Sequence, residues 1–195
     1  MGFLSVISYA HKLVQERVQH GDCAIDATVG GGNDTLLLAR AVGPKGTVYG
    51  FDIQREALEQ TRMKLIGELG ADAGTERVHL LLRSHAEMED AVPAERHGKI
   101  AAIMFNLGYL PNGDHTVITE TDATLAALGS SLRLLRARGI ATIVVYPGHP
   151  GGDAEAAAVG EWAAGLAQRD YQALTYRFAN APATSPYLIA IEKRS

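Results

Sequence analysis

The strongest constraint on this chain is an alternation that runs through most of its length. Short apolar runs, Cys23–Ala27, Thr47–Phe51, Val78–Leu82, Ile100–Phe105 and Gly139–Tyr146, are separated by longer stretches of helical period. Those stretches are Asn33–Val42, Arg55–Leu69 and Thr119–Arg136, with Leu4–Gln19 before the first run and Asp153–Gln168 after the fifth. Gly43-Pro44-Lys45-Gly46 reads as a turn between the first helix–strand pair. Such an order predicts an α/β, Rossmann-like fold with a mostly parallel sheet and helices on both faces. Val78–Leu82 has almost nothing polar on either face, so burial on both sides is expected of it. The tail differs. Tyr171–Phe178 and Tyr187–Glu192 are joined by too few residues for a crossover helix, which predicts an antiparallel hairpin at the edge of a seven-stranded sheet.

A chain of 195 residues, 47% hydrophobic and 21% charged, is long and apolar enough for one domain over 1–195, with 1–20 as its N-terminal helix. A formal net charge of −4 excludes a global basic field for nucleic acid and leaves local patches open. Arg133, Arg136 and Arg138 could meet phosphates, or form a solvated face at helical spacing. The single cysteine, Cys23, excludes intrachain disulfides and cysteine metal clusters, and suits a reducing compartment and a place in the core. Lys12, Glu16 and Arg17 break up the apolar residues of the N-terminus, and no run is long enough to span a bilayer. A cytoplasmic protein with no membrane partner is expected. No metal is expected either: His115, His149, Asp114 and Asp153 lie in separate loops without ligand spacing. Trp162 falls inside a helical pattern with Val159 and Leu166 and is expected to pack.

The first strand runs into Asp26-Ala27-Thr28-Val29-Gly30-Gly31-Gly32-Asn33-Asp34, where consecutive glycines allow a tight turn and close approach of a ligand to the backbone. A dinucleotide fingerprint would place another glycine where Thr35 stands. Asp26 and Asp34 would repel a pyrophosphate, yet they suit a cofactor with ammonium and sulfonium centres. Asp52 closes the second strand, followed by Ile53 and Gln54, where a carboxylate can accept both hydroxyls of a ribose. Ser84 or His85, after the third strand, lies where an adenine amino group would be read. Ser84 reads equally well as an N-cap, with Glu87 completing a capping box. The expected cofactor contacts are thus Asp26, Gly30, Gly32, Asn33, Asp34, Asp52, Gln54, Ser84 and His85, joined by Asn106 from the fourth strand.

That strand ends in Phe105-Asn106-Leu107-Gly108-Tyr109-Leu110-Pro111, at the sheet edge where open α/β folds bind ligands. The Asn106 amide can accept a hydrogen bond from an amine, and Tyr109 can stack on a base. This is similar to the Asp/Asn-Pro-Pro-Tyr motif of amino-group methyltransferases, with Leu107-Gly108 in place of the prolines. Asp114 and His115 in the next loop, with Tyr146 and His149 after the fifth strand, could complete an acceptor pocket, although glycine and proline there also simply end a strand.

Taken in order, the glycine loop, Gly50-Phe51-Asp52-Ile53-Gln54, Asn106 to Pro111 with Gly113-Asp114-His115, and Tyr146-Pro147-Gly148-His149 with Gly151-Gly152 resemble one family over nearly the whole chain. It is the rRNA methylase family associated with tRNA 5-aminomethyl-2-thiouridine methyltransferase. The resemblance implies the class I methyltransferase fold, S-adenosyl-L-methionine as cofactor, and methyl transfer to the aminomethyl group of the wobble uridine in the anticodon region of tRNA. It also implies a homodimer. On that basis Asn106, Tyr109 and His149 are the candidate catalytic residues, and Tyr109, Asp114, His115, Tyr146 and His149 the candidate substrate contacts. His149, His115 and Asp114 are candidates for taking the amine's proton. Methylation of rRNA or of a small-molecule amine, and nucleotide binding without methyl transfer, stand as alternatives.

Overall fold

The computed structural model describes residues 2–70, 76–108 and 119–195. Seven strands form one sheet: β1 (Cys23–Asp26), β2 (Thr47–Asp52), β3 (Val78–Leu82), β4 (Ile100–Asn106), β5 (Leu135–Val145), β6 (Tyr171–Tyr176) and β7 (Tyr187–Lys193). Their spatial order is β3-β2-β1-β4-β5-β7-β6. The first five are parallel, whereas β7 runs antiparallel to both β5 and β6. The reversal of strand order at β1 and β4 opens a crevice at the carboxyl ends of these two strands, the place where such sheets bind ligands.

Helices α1 (Val6–Gln15), α2 (Asn33–Val42) and α3 (Arg55–Leu69) cover one face, and α4 (Met88–Ala91), α5 (Thr121–Leu134) and α6 (Gly152–Ala164) cover the other. Alternate strand residues divide between the two cores. Ala24, Val48, Met104 and Val144 pack with Leu13, Leu38 and Leu65. Ile25, Phe51, Phe105 and Ile143 pack with Met88, Leu128 and Val159, and the half-buried Trp162 joins that second core. Full burial of a large side chain such as Phe51 or Phe105 contributes about 1.5–3 kcal/mol, so both faces are needed to hold the sheet.

Helix α1 buries Val6, Ala10, Leu13 and Val14, and the Ser5 hydroxyl caps its first turn by accepting from the Ser8 N–H at 3.1 Å. Both ends of its segment are tied to the terminal hairpin. The Arg17 guanidinium donates twice to Glu192, at 2.6 and 2.9 Å, and the Tyr176 hydroxyl donates to the Leu4 carbonyl at 2.9 Å. Ile7 and His11, one turn apart on the flank of the helix, are thereby held at the crevice.

Two expectations change. β3 is an edge strand, so its burial is partial, with His79 and Leu82 exposed despite the apolar sequence. β5 begins at Leu135, inside the stretch expected to be helical. Between its pairings Ile100–Leu135 and Ala102–Ile140 the register shifts, with Arg138 at φ 60°. Gly139 is required there because a Cβ would lie 2.9 Å from the carbonyl oxygens of both Arg136 and Ile100. Among the described residues no helix is long and apolar enough to cross a membrane.

Candidate active site

The carboxyl ends of β1, β2 and β4 open into a cavity of about 1150 Å³. Gly30, Asn33, Asp34, Asp52, Gln54, Ser84, His85, Asn106, Tyr146 and His149 all line it, as do Ile7, His11 and Lys64. Tyr109, Asp114 and His115 lie outside the described residues.

The glycine loop is built from β1 outward. The Val29 N–H donates to the Phe51 carbonyl at 3.0 Å and the Gly30 N–H to Asp52 Oδ2 at 2.8 Å, so the loop leans on β2. Gly32, at φ 72°, starts α2, and a Cβ there would sit 2.5 Å from Thr61 Oγ1. Lys64 closes the loop from α3: its ammonium donates to the Gly31 carbonyl at 2.6 Å and to Asn33 Oδ1 at 2.7 Å. Asp52 Oδ1 accepts the Gln54 N–H at 2.9 Å. Each Asp52 oxygen therefore has one backbone donor and a lone pair to spare, which is what a vicinal diol requires.

Ser84 caps the short turn at His85–Glu87, its hydroxyl accepting the Ala86 N–H at 3.2 Å. The capping box is not closed. Glu87 instead pairs with Arg83 Nε at 3.1 Å. His85 is buried beneath the cavity, with Nδ1 3.3 Å from the Ala27 carbonyl, and this fixes the proton on Nδ1. Nε2 is buried without a hydrogen-bond partner. Burial pushes the ring pKa down, against smaller upward effects of the Ala27 carbonyl and Asp52, so the ring is neutral and Nε2 is an acceptor. An exocyclic amine of a purine is the kind of donor it lacks.

Neither Asp26 nor Gly32 lines the cavity. Asp26 is wholly buried behind the loop, where Oδ1 accepts the Thr28 N–H at 3.1 Å and Oδ2 accepts the Thr35 hydroxyl at 2.5 Å. Direct contact with a ligand is closed to it because its oxygens serve the loop itself. Burial, and then the neighbouring Asp34, raise its pKa to about 7, against the pull of the Thr35 and Thr28 hydrogen bonds. A carboxyl raised in the folded state contributes stability below its unfolded pKa near 4, and that contribution is lost as pH rises through about 7. Asp26→Asn is isosteric with the protonated form. In urea melts of the unliganded protein it should match the parent near pH 4 and exceed it at pH 8 by a margin on the order of a few kcal/mol. Parallel stability curves across that range would contradict the assignment.

Asp34, at the start of α2, joins three elements. One carboxylate oxygen, Oδ1, lies 2.6 Å from His11 Nε2 on α1, and Oδ2 accepts the Asn106 side-chain N–H from the end of β4. The Asn106 amide is thereby oriented. Its nitrogen faces Asp34 and its oxygen faces the other way, where the Tyr146 hydroxyl approaches at 3.4 Å. The Asn106 backbone N–H donates to Thr28 Oγ1 at 2.7 Å, fixing the strand end against the glycine loop. Burial, and secondarily Asp34, push the Tyr146 pKa up, so Tyr146 stays a neutral donor.

His149 is seated by absent side chains. A Cβ on Gly152 would lie 2.9 Å from its ring and 2.4 Å from the Tyr146 carbonyl oxygen, and one on Gly108 would lie 3.4 Å from His149 Nε2. Gly108 and Thr119 are clamped together: the Thr119 N–H donates to the Gly108 carbonyl at 2.9 Å, and Thr119 Oγ1 accepts the Gly108 N–H at 2.9 Å. The buried Glu155 in turn accepts the hydroxyls of Thr119 and Thr124 at 2.7 and 2.6 Å. Arg133 and Arg136 take no part in the cavity. They pair with Glu89 at 2.5 Å and Asp22 at 2.9 Å, the latter at the amino end of the sheet.

The sequence reading missed His11 and Lys64. His11 meets its partner 23 residues along the chain and Lys64 meets Asn33 31 residues away, so no local motif announces either contact.

Residues 48–192 match the family described as "Putative rRNA methylase". The chloroplastic tRNA (mnm(5)s(2)U34)-methyltransferase of Arabidopsis thaliana is 38% identical over 190 residues, which cover 95% of this chain and 68% of that protein. Among solved structures, a putative rRNA methylase from Clostridium thermocellum has a TM-score of 0.91 at 36% identity, covering 99% of this chain and all of its own. A putative methyltransferase from Streptococcus mutans in complex with SAH has a TM-score of 0.85 at 34% identity, covering 98% of this chain and 99% of its own.

Proposed function

The chain belongs to the rRNA methylase family of S-adenosylmethionine-dependent methyltransferases, and from that premise we propose that its acceptor is a primary amine on RNA, the 5-aminomethyl group of a modified wobble uridine in tRNA. The observation that carries this reading is the orientation of Asn106. With its amide nitrogen held by Asp34, it offers a carbonyl oxygen at the cavity edge, and an amine N–H is the complement of that oxygen. A carbon acceptor has no N–H or O–H to offer it. The name of the plant relative supports the choice of tRNA.

The donor set fits the cofactor. Asp52 would hold the ribose hydroxyls, His85 Nε2 would accept from the adenine amine, and the Gly30–Asn33 loop would receive the amino-acid end near Asp34. When bound, S-adenosylmethionine supplies an electrophilic methyl on a sulfonium, which a nitrogen lone pair can take while the C–S electron pair returns to sulfur. The protein contributes orientation and proximity. Asn106 directs the amine, Tyr146 and His149 border its approach, and the walls formed by Leu107 and Ile7 exclude water.

The test is label transfer from methyl-labelled cofactor to two tRNA preparations, one bearing and one lacking the aminomethyl group. Label in the modified tRNA alone is expected. Equal label in both, or label in rRNA only, would overturn the acceptor. Calorimetry checks the cofactor side: S-adenosylmethionine and S-adenosylhomocysteine should bind, and binding of NAD alone would contradict the donor set.

A further inference from the structure

We infer that His11 of α1 takes the proton from the incoming ammonium group, an assignment that rests on the amine reading above. The Asp34 carboxylate holds His11 on one oxygen and Asn106 on the other, so the group that would direct the amine and the group that would receive its proton are fixed by one side chain. Asp34 is nearly buried and its partnership with Nε2 selects the tautomer with the proton on that nitrogen. Nδ1 then carries the lone pair, on a ring that lines the cavity and keeps a quarter of its side-chain surface open. The mount is rigid, because α1 is tied to the terminal hairpin through Arg17–Glu192 and Tyr176–Leu4. The ionisable groups around the ring are Asp34 on α2, with Asp26 of β1 behind it and Tyr146 beyond Asn106. Lys12, next to it on α1, turns outward to Glu16 at 3.9 Å.

An ordinary aliphatic amine has a pKa near 10.4, so only about one molecule in 10³ is neutral at pH 7.4. Nδ1 accepts one N–H proton and the nitrogen keeps its electron pair for the methyl group. The product is a secondary ammonium, and the imidazolium returns its proton to solvent. Nothing beyond the acceptor, the cofactor and water enters the balance.

His11→Gln keeps a donor for Asp34 and removes the base. Single-turnover methylation of aminomethyl tRNA at pH 7 is expected to fall about 10²-fold. The deficit should shrink steadily towards pH 9.5, where the amine sheds its own proton. Cofactor affinity by calorimetry should stay within about twofold, since losing a general base affects the proton transfer and not ground-state binding. His11→Asn, checked for an unchanged melting curve, should behave alike. A deficit constant with pH, an undiminished rate, or lost cofactor binding would each overturn the role of His11. Failure of the unsubstituted enzyme to label aminomethyl tRNA would overturn the amine reading instead, and this assignment with it.

Discussion

Asp34→Ala should lower the rate of methyl transfer about 10³- to 10⁴-fold while leaving the protein folded, because it releases two groups at once. The Asn106 amide loses the acceptor that sets which end faces the cavity, and His11 loses the partner that fixes its tautomer. Removing only the orienting carboxylate of a histidine is known to cost about 10⁴ in the serine-protease triad, which sets the scale for the second loss. The two losses share one substrate geometry and will not simply multiply. Single-turnover rates of Asp34→Ala, Asn106→Ala and the double variant decide the matter. If the double variant falls further than Asp34→Ala by the full Asn106→Ala factor, Asp34 does not act through Asn106.

Asp52→Ala should weaken the binding of S-adenosylmethionine about 10³-fold. Hydrogen bonds to a charged acceptor are worth roughly 1.5–3 kcal/mol each, and two of them to a ribose come to about 4 kcal/mol, or three decades in Kd. The substitution also frees the Gly30 and Gln54 N–H groups that the carboxylate now accepts, so the loop loses its fastening to β2. Asp52→Asn keeps one acceptor oxygen and should fall between. Calorimetry with adenosine as a second ligand separates the effects: a ribose role requires adenosine to be weakened as well. Affinity for the full cofactor reduced less than about tenfold would place the ribose elsewhere.

The strand and helix order was legible because burial on two faces imposes an apolar strand pattern that sequence alone carries. Position within the sheet is not written that way. Val78–Leu82 looks like a central strand, yet β3 lies at the edge, since the same residues serve wherever one helix covers one face. The helical pattern of Thr119–Arg136 runs two residues too far, since the chain turns to strand at Leu135 and reaches Gly139 through a bulge against β4. That Gly30, Gly31 and Asp52 would come together at one cavity was visible because they sit in consecutive turns of chain. The cluster of Asp34, His11 and Asn106 was not, because these residues come from α2, α1 and β4 and meet only through tertiary packing. Asp26 shows the opposite failure. Its place in the loop motif suggested a ligand contact, while folding turned its oxygens inward onto Thr28 and Thr35.

The lone cysteine gives the protein a built-in reporter. Cys23 begins β1, in the middle of the sheet; it is 3% exposed, and burial, with Arg96 and Asp22 acting in opposite senses, raises its thiol to about pKa 11. In the closed molecule it is both shielded and protonated, so a thiol reagent can reach a thiolate only when the central strand opens. The labelling rate then measures that opening in the unmodified protein. Protection should lengthen with cofactor concentration as ligand drains the open population.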